Sequence, residues 1–374
     1  MSRYAHITAW GMYAPEHVMT NDDLAQMVDT NDEWIVSRTG IRERRIAADY
    51  ESTSTMATEA ALNALKRSRL DPHDLDLIIV ATSSPDYLFP ATACLVQDNL
   101  GASRAGAFDL LAACTGFIFA LNMAADAIRS GSIENALVIG AETLSRLVNW
   151  QDRRTCILFA DGAGAFVLEG RDSPGGILSG VMRSDGSGRE LLILPGGGSR
   201  HPANAETVEQ GLHTVQMKGR DVFRFATRAM ASATRESVAK AGLSLDDVQL
   251  IVPHQANRRI IETAARILRV PMDRFMINLD RYGNTSTASI PMAVCEAVDG
   301  GRIKAGDNIV LVGFGGGLTW GAMTIRWVSR ERRVTRTQRM RRNILFSLAK
   351  LRSLMRRIIR RVEGLIWGAV SRRK

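Results

Sequence analysis

Four stretches of the chain carry residue types that could do chemistry. In Leu110-Leu111-Ala112-Ala113-Cys114-Thr115-Gly116-Phe117 an apolar run ends in a small-residue turn and a helix begins. Cys114 falls at or near that helix start, where free N–H groups and the helix dipole favour a thiolate and so lower the thiol pKa. Its small neighbours leave room for an incoming acyl group, which makes it a candidate nucleophile. In Val252-Pro253-His254-Gln255-Ala256-Asn257 a buried strand ends and a helix opens. That puts His254 at the carboxyl end of a strand, where α/β proteins collect their chemistry. Tyr282-Gly283-Asn284-Thr285-Ser286 sets an Asn after a Gly, and Gly313-Phe314-Gly315-Gly316-Gly317 follows another strand. Consecutive glycines let the backbone approach a ligand and aim N–H groups at it, as an oxyanion hole requires. Taken singly, each signal is weak. A lone Cys or His is more often structural, and an Asn after Gly is usually a turn or cap. Cys94, Cys156 and Cys295 are read as structural.

The elements that must position these residues follow from a weak duplication. Leu70-Asp71-Pro72-His73-Asp74-Leu75-Asp76-Leu77-Ile78-Ile79-Val80 reads as a helix exit, a turn and a buried strand. Leu243-Ser244-Leu245-Asp246-Asp247-Val248-Gln249-Leu250-Ile251-Val252 reads the same way 173 residues later, and Asn135–Gly140 matches Asn308–Gly313 at that same offset. The offset carries Cys114 to position 287, which puts Asn284 near the place that the cysteine holds in the first half. The pattern predicts helices over 54–68, 115–130, 220–241 and 257–268, and strands over 76–82, 135–141, 248–253 and 308–313. Continuous apolar strands between helices argue for sheets covered on both faces. The expected architecture is two duplicated α/β halves, 1–175 and 176–328, in five α-β-α-β-α layers. The glycine-rich segment 186–215 is expected to be a surface loop, one that could edge a substrate entrance.

Composition narrows the class. A chain of 374 residues, 45% hydrophobic, can bury a large core. The four cysteines show neither C-x-x-C pairing nor zinc spacing with His, so no metal is expected. The N-terminus lacks a basic start followed by an apolar core, and no run of about 18 apolar residues occurs. A reducing, cytoplasmic setting is the expectation. The net charge of +9 is unevenly spread. Residues 329–374 hold 16 Lys/Arg against 2 Asp/Glu, whereas 1–328 hold 32 against 37.

Together, in this order and spacing, the four elements resemble β-ketoacyl-acyl carrier protein synthase III, a thiolase-like condensing enzyme that starts fatty-acid chains. The likeness runs from about residue 4 to 328. It includes Thr30-Asn31-Asp32-Glu33-Trp34-Ile35, Arg38-Thr39-Gly40-Ile41, Asp161-Gly162-Ala163-Gly164-Ala165 and Thr319-Trp320-Gly321. The resemblance implies that Cys114 takes the starter acyl group from acyl-CoA. His254 and Asn284 would then bind the malonyl thioester carbonyl as carbon dioxide leaves, and the backbone N–H groups of Cys114 and Gly316 would form the oxyanion hole. It implies CoA contacts at Thr30, Trp34, Arg38 and Arg153, with Arg154 standing where the family commonly has Gly. It implies carrier-protein contacts across Gln255, Ala256, Asn257, Arg258, Arg259 and Arg266, and a homodimer in which Phe89 shapes the partner's acyl pocket. No cofactor is implied beyond the two thioester substrates. Leu318 replaces an aromatic residue common after the glycines. A related enzyme of polyketide, quinolone or ketone formation is the alternative.

The segment 329–374 lies outside that likeness. Over 343–370, apolar residues recur three and four apart, from Ile344 and Leu348 to Leu365 and Ala369, with arginines opposite. The pattern predicts an amphipathic basic helix of roughly 42 Å at 1.5 Å per residue. Such a helix suits peripheral contact with an anionic membrane, an acidic carrier protein, or packing of its apolar face on the body. Nothing in it favours nucleic acid.

Overall fold

The computed structural model describes residues 3–328, 348 and 351–363. The first half runs β1 (Tyr4–Tyr13), β2 (Val18–Thr20), α1 (Asn21–Ala25), α2 (Asp32–Thr39), β3 (Glu43–Arg45), α3 (Thr53–Arg67), β4 (Leu77–Ala81), α4 (Thr92–Leu100), β5 (Gly106–Leu110), α5 (Gly116–Arg129), β6 (Asn135–Thr143) and β7 (Asp161–Arg171). The second half runs β8 (Gly176–Ser184), β9 (Leu192–Ile193), α6 (Ala205–Glu209), β10 (Gln216–Met217), α7 (Gly219–Lys240), β11 (Leu250–Pro253), α8 (Arg258–Leu268), α9 (Leu279–Tyr282), α10 (Ser289–Asp299), β12 (Asn308–Gly315) and β13 (Thr319–Arg326). The expected helices and strands are present, their ends shifted by one or two residues.

Among the described residues two large sheets form, ordered β1-β7-β6-β4-β5 and β11-β12-β13-β8, beside two small ones, β2-β3 and β9-β10. In each large sheet, parallel pairing (β4 with β5 and β6, β11 with β12) continues into an antiparallel edge. The middle layer is α5 and α10. Both bury most of their residues, and their charged side chains (Asp126 and Arg129 of α5, Glu296 and Asp299 of α10) lie in their C-terminal halves, as suits helices buried between two sheets. Phe117 and Leu121 of α5 and Ile290 and Val294 of α10 pack with Val138 of one sheet and Leu311 of the other. Helices α3 and α4 cover the outside of the first sheet, and α7 and α8 the outside of the second. This is a thiolase-like five-layer α/β arrangement.

The duplication is structural and keeps its offset. Asn135 Nδ2 donates to Asp74 O at 3.0 Å, and Asn308 Nδ2 donates to Asp247 O at 2.9 Å, so the same amide fastens the same turn in both halves. A 3₁₀ turn Ala113–Thr115 leads into α5, and Ser286–Ala288 leads into α10, again 173 residues apart. The residue opening each turn is left-handed, with φ 47° at Ala113 and 49° at Ser286. Such backbone costs non-glycine residues of order 1–3 kcal/mol, and it persists where surrounding packing imposes it.

The segment 186–215 differs from the expected plain loop. It carries a 3₁₀ stretch, β9 and α6, and β9 pairs with β10 just beyond it. Leu191 and Leu192 half-bury their side chains against the core of the second half, which gives this segment the anchoring a free loop lacks. Beyond Val328, the described part of the C-terminal segment includes a helix over 351–363, so the rest of the predicted helix 343–370 lies largely outside the described residues. Among the described residues no helix is long and apolar enough to cross a membrane.

Candidate active site

Cys114 sits in the turn between β5 and α5, 7% exposed. Its Sγ accepts a hydrogen bond from Ser286 Oγ at 3.3 Å, across the junction of the two halves. The expected lowering of its pKa is reversed. Burial pushes the thiol up to about 12, Glu142 adds to the rise, and the Ser286 hydroxyl pulls against it. Desolvation of a largely enclosed sulfur outweighs what a helix start can offset. The resting group is therefore a thiol.

The turn that carries Ser286 ties the other two expected residues to this sulfur. Asn284 Oδ1 accepts from the Ser286 N–H at 2.9 Å, which leaves the Asn284 amide nitrogen as its donor. Ser289 Oγ donates to the Ser286 carbonyl at 2.8 Å and lies 2.7 Å from Nδ1 of His254. Burial drives the His254 pKa down to about 3, so the ring is neutral at working pH. Phe314 meets the ring edge-on at 5.3 Å and fixes its plane. Cys114, His254 and Asn284 thus converge on one strained turn. Ser286 and Ser289, which the sequence reading gave no role, are what join them. Their hydroxyls lie in the Tyr282–Ser286 stretch and just after it, but their partners come from distant segments that local pattern does not pair.

Beneath the turn lies a further group missed in the sequence. Glu142, at the end of β6, is fully buried. Its carboxyl accepts from Ser84 Oγ at 2.6 Å, Ser83 N at 3.0 Å and Thr287 Oγ1 at 3.1 Å. Burial raises its pKa despite these bonds. Thr287 is the residue at the offset of 173 from Cys114, so the repeat partner of the cysteine is Thr287, and Asn284 stands three residues before it.

The glycine run closes the site from β12. A Cβ on Gly315 would lie 2.7 Å from the Cys114 nitrogen, so only glycine lets the two backbones meet. Gly317 has φ 77°. At Gly316 a Cβ would come 2.9 Å from Leu192 O, which brings the segment 186–215 to the rim of the site.

Of the remaining expected residues, all but Gln255 and Ala256 lie at or near the surface. Trp34 of α2 has the Arg153 guanidinium 5.2 Å and the Arg38 guanidinium 6.0 Å from its ring centre. Arg153 also donates to Asp29 O at 2.6 Å, and Arg154 is held by Asp152 at 2.8 Å. The buried Thr30 hydroxyl has no partner among the described residues. A hollow of about 470 Å³ opens between Met27–Asp29 and Gln151–Arg154. On α8, Arg258 pairs with Glu262 at 2.9 Å, Arg259 lies over Phe223 at 5.9 Å and Arg266 donates to Thr263 Oγ1 at 3.0 Å. Gln255 and Ala256 are not on that surface. Gln255 is 1% exposed, donating to Pro253 O and Met276 O and accepting from Asn278 N, so it braces the framework, and Ala256 is buried beside it. Asn257 caps α8 by accepting from Arg259 N at 2.9 Å, and it also donates to Arg38 O at 3.0 Å. Phe89 is 87% exposed on the loop before α4.

A buried thiol at a helix start, tied across two related halves to a neutral imidazole and an amide, defines a thiolase-like, acyl-transferring condensing enzyme. Two family models match, the 3-oxoacyl-[acyl-carrier-protein] synthase III model over residues 108–186 and its C-terminal model over 238–327. A β-ketoacyl-[acyl-carrier-protein] synthase III from Desulfitobacterium hafniense is 54% identical over 324 residues, 87% of this chain and 98% of that one. The crystal structure of 3-oxoacyl-[acyl-carrier-protein] synthase III from Aquifex aeolicus is 48% identical, with a TM-score of 0.80, covering 86% of this chain and all of that one. A priming β-ketosynthase of a polyketide pathway is 34% identical with a TM-score of 0.82, covering 88% of this chain and 97% of that one. The chain belongs to the β-ketoacyl-[acyl-carrier-protein] synthase III family.

Proposed function

We propose that this enzyme joins an acyl-CoA starter to malonyl-acyl carrier protein with loss of carbon dioxide, the step that begins a fatty-acid chain. The observation that carries the reading is the Ser286 turn, which bonds Cys114 and Asn284 directly and His254 through Ser289. In the first step Cys114 Sγ attacks the starter's thioester carbonyl, the thiol proton passes to the departing CoA sulfur, and an acyl-enzyme remains. In the second, the malonyl C–CO₂ bond breaks and its electron pair becomes an enolate, which the His254 Nε2–H and the Asn284 amide hold. The enolate carbon attacks the acyl thioester. Collapse of that adduct, whose oxygen the N–H groups of Cys114 and Gly316 receive, expels the Cys114 sulfur. One proton is taken up overall. A neutral His can donate from Nε2 only if Nδ1 accepts, so the Ser289 hydroxyl must turn from the Ser286 carbonyl to Nδ1.

The CoA nucleotide fits the Trp34 face, with Thr30, Arg38, Arg153 and Arg154 around it. Because Arg153 already lies against Trp34, a purine entering between them must swing Arg153 out and release Asp29. The carrier protein meets Arg258, Arg259 and Arg266 with Asn257. The chain acts as a cytoplasmic homodimer paired along β5. Among the described residues this strand is a sheet edge without a neighbour, and Phe108 on it and Leu111 just after it are exposed, a liability that pairing removes.

Radiolabelled acyl-CoA and Cys114→Ser test the core of this reading. The variant should take up no label, and label on another residue would overturn the assignment. A panel of acyl-CoA starters with malonyl-carrier protein, read by mass spectrometry, separates fatty-acid initiation from a polyketide priming role.

A further inference from the structure

The helix over 351–363 is attached to the body by its polar side. Ser353, its one buried residue, donates to Asp98 Oδ1 of α4 at 2.5 Å, and Arg357 Nε donates to Asp98 Oδ2 at 2.6 Å. Leu351, Leu354, Met355, Ile358, Ile359 and Val362 are all about half exposed. At 3.6 residues per turn these six fall within one arc of about 140°, whose centre lies about 150° from the Ser353–Arg357 side. Leu354, at one edge of the arc, lines a hollow with Thr55, Thr58 and Asp98, and the rest of the apolar face points away from the protein, the reverse of a helix that packs on its own core. Arg352 and Arg361 border the arc on its two sides, and Arg356 and Arg360 lie beyond Arg352.

We infer that this helix is a clipped-on membrane foot, which seats its apolar arc in the surface of an anionic bilayer while Asp98 holds it to the enzyme. A second copy of the helix would cover the apolar arc but set bordering arginines against arginines. An acidic carrier protein would use the arginines and leave the arc bare. An anionic lipid surface takes both, with apolar side chains at the acyl boundary and guanidinium groups among the headgroups. The inference is independent of the condensation chemistry, since none of these residues belongs to the site around Cys114.

Flotation of the full chain with vesicles tests it. The protein should rise with phosphatidylcholine vesicles containing one-third phosphatidylglycerol and stay down with phosphatidylcholine alone. Ile358→Asp with Ile359→Asp should cut binding at least about tenfold, because each removes a buried aliphatic side chain. Arg352→Gln with Arg361→Gln should cut it about fivefold per residue, with a shallower salt dependence. All these positions are exposed, and an unchanged thermal melt checks the fold. Absence of flotation with anionic vesicles overturns the inference, as does full flotation of the Asp variant. Loss of self-association without vesicle binding would assign the arc to a second copy. A raised KM for malonyl-carrier protein without vesicle binding would assign it to the carrier. Either result would also overturn the inference.

Discussion

At the scale of single residues, two pKa values set the chemistry. A thiol near 12 means that resting Cys114 is almost wholly protonated at neutral pH. Alkylation of the free enzyme by iodoacetamide should rise about tenfold per pH unit from 7 to 9. A plateau below pH 9 would show a thiolate already formed. His254, lowered to about 3, stays a neutral imidazole between pH 5 and 8. Its folded pKa lies below its unfolded one, so acid destabilises the fold through it only below about 6.5. The rate of malonyl decarboxylation on the acylated enzyme should accordingly show no inflection near 6.5, whereas a bell there would mean a titrating His254. Ser289→Ala removes the hydroxyl that must face Nδ1. Acylation of Cys114 should survive within a few-fold, and decarboxylation should fall about 10- to 100-fold. Equal losses in both steps would make Ser289 merely structural.

At the scale of elements, the site depends on how closely β6 approaches the second half. A Cβ on Gly140 would lie 2.3 Å from the Thr287 carbonyl, inside the turn that carries Ser286. Gly140→Ala should cost about 1–3 kcal/mol in stability from overpacking. It should also cut acylation by up to about a hundredfold, because it moves that turn. Melting and acylation measured on the same sample check both. Most elements were legible in the sequence because apolar periodicity and turn residues are local. The helix predicted over 115–130 is Gly116–Arg129, and the strand over 308–313 is the core of Asn308–Gly315. Cys114, His254 and Asn284 were legible through the resemblance. The roles of Ser286, Ser289 and Glu142 were not, since each depends on a partner brought from far along the chain. The direction of the Cys114 shift was missed for a related reason. Helix starts can be read from sequence, but the enclosure of a sulfur by two halves cannot.

At the scale of the whole molecule, the exposed edge of β5 predicts association. Phe108→Asp, set on that edge, should convert a dimer to a monomer in sedimentation, and an unchanged mass would place the interface elsewhere. Charge is partitioned as well. The acidic balance of 1–328 and the basic balance of 329–374 give one chain two segments of opposite charge, bridged in the described residues by Asp98 and Arg357.

The matched turns at Ala113 and Ser286 bear on what either half could do alone. The sulfur belongs to one half, and the hydroxyl that touches it comes from the same turn of the other. A solitary half would have had a nucleophile with nothing facing it. The two matched turns therefore divide one task, one carrying the thiol and the other the hydroxyl that meets it, so that neither half holds a complete site by itself.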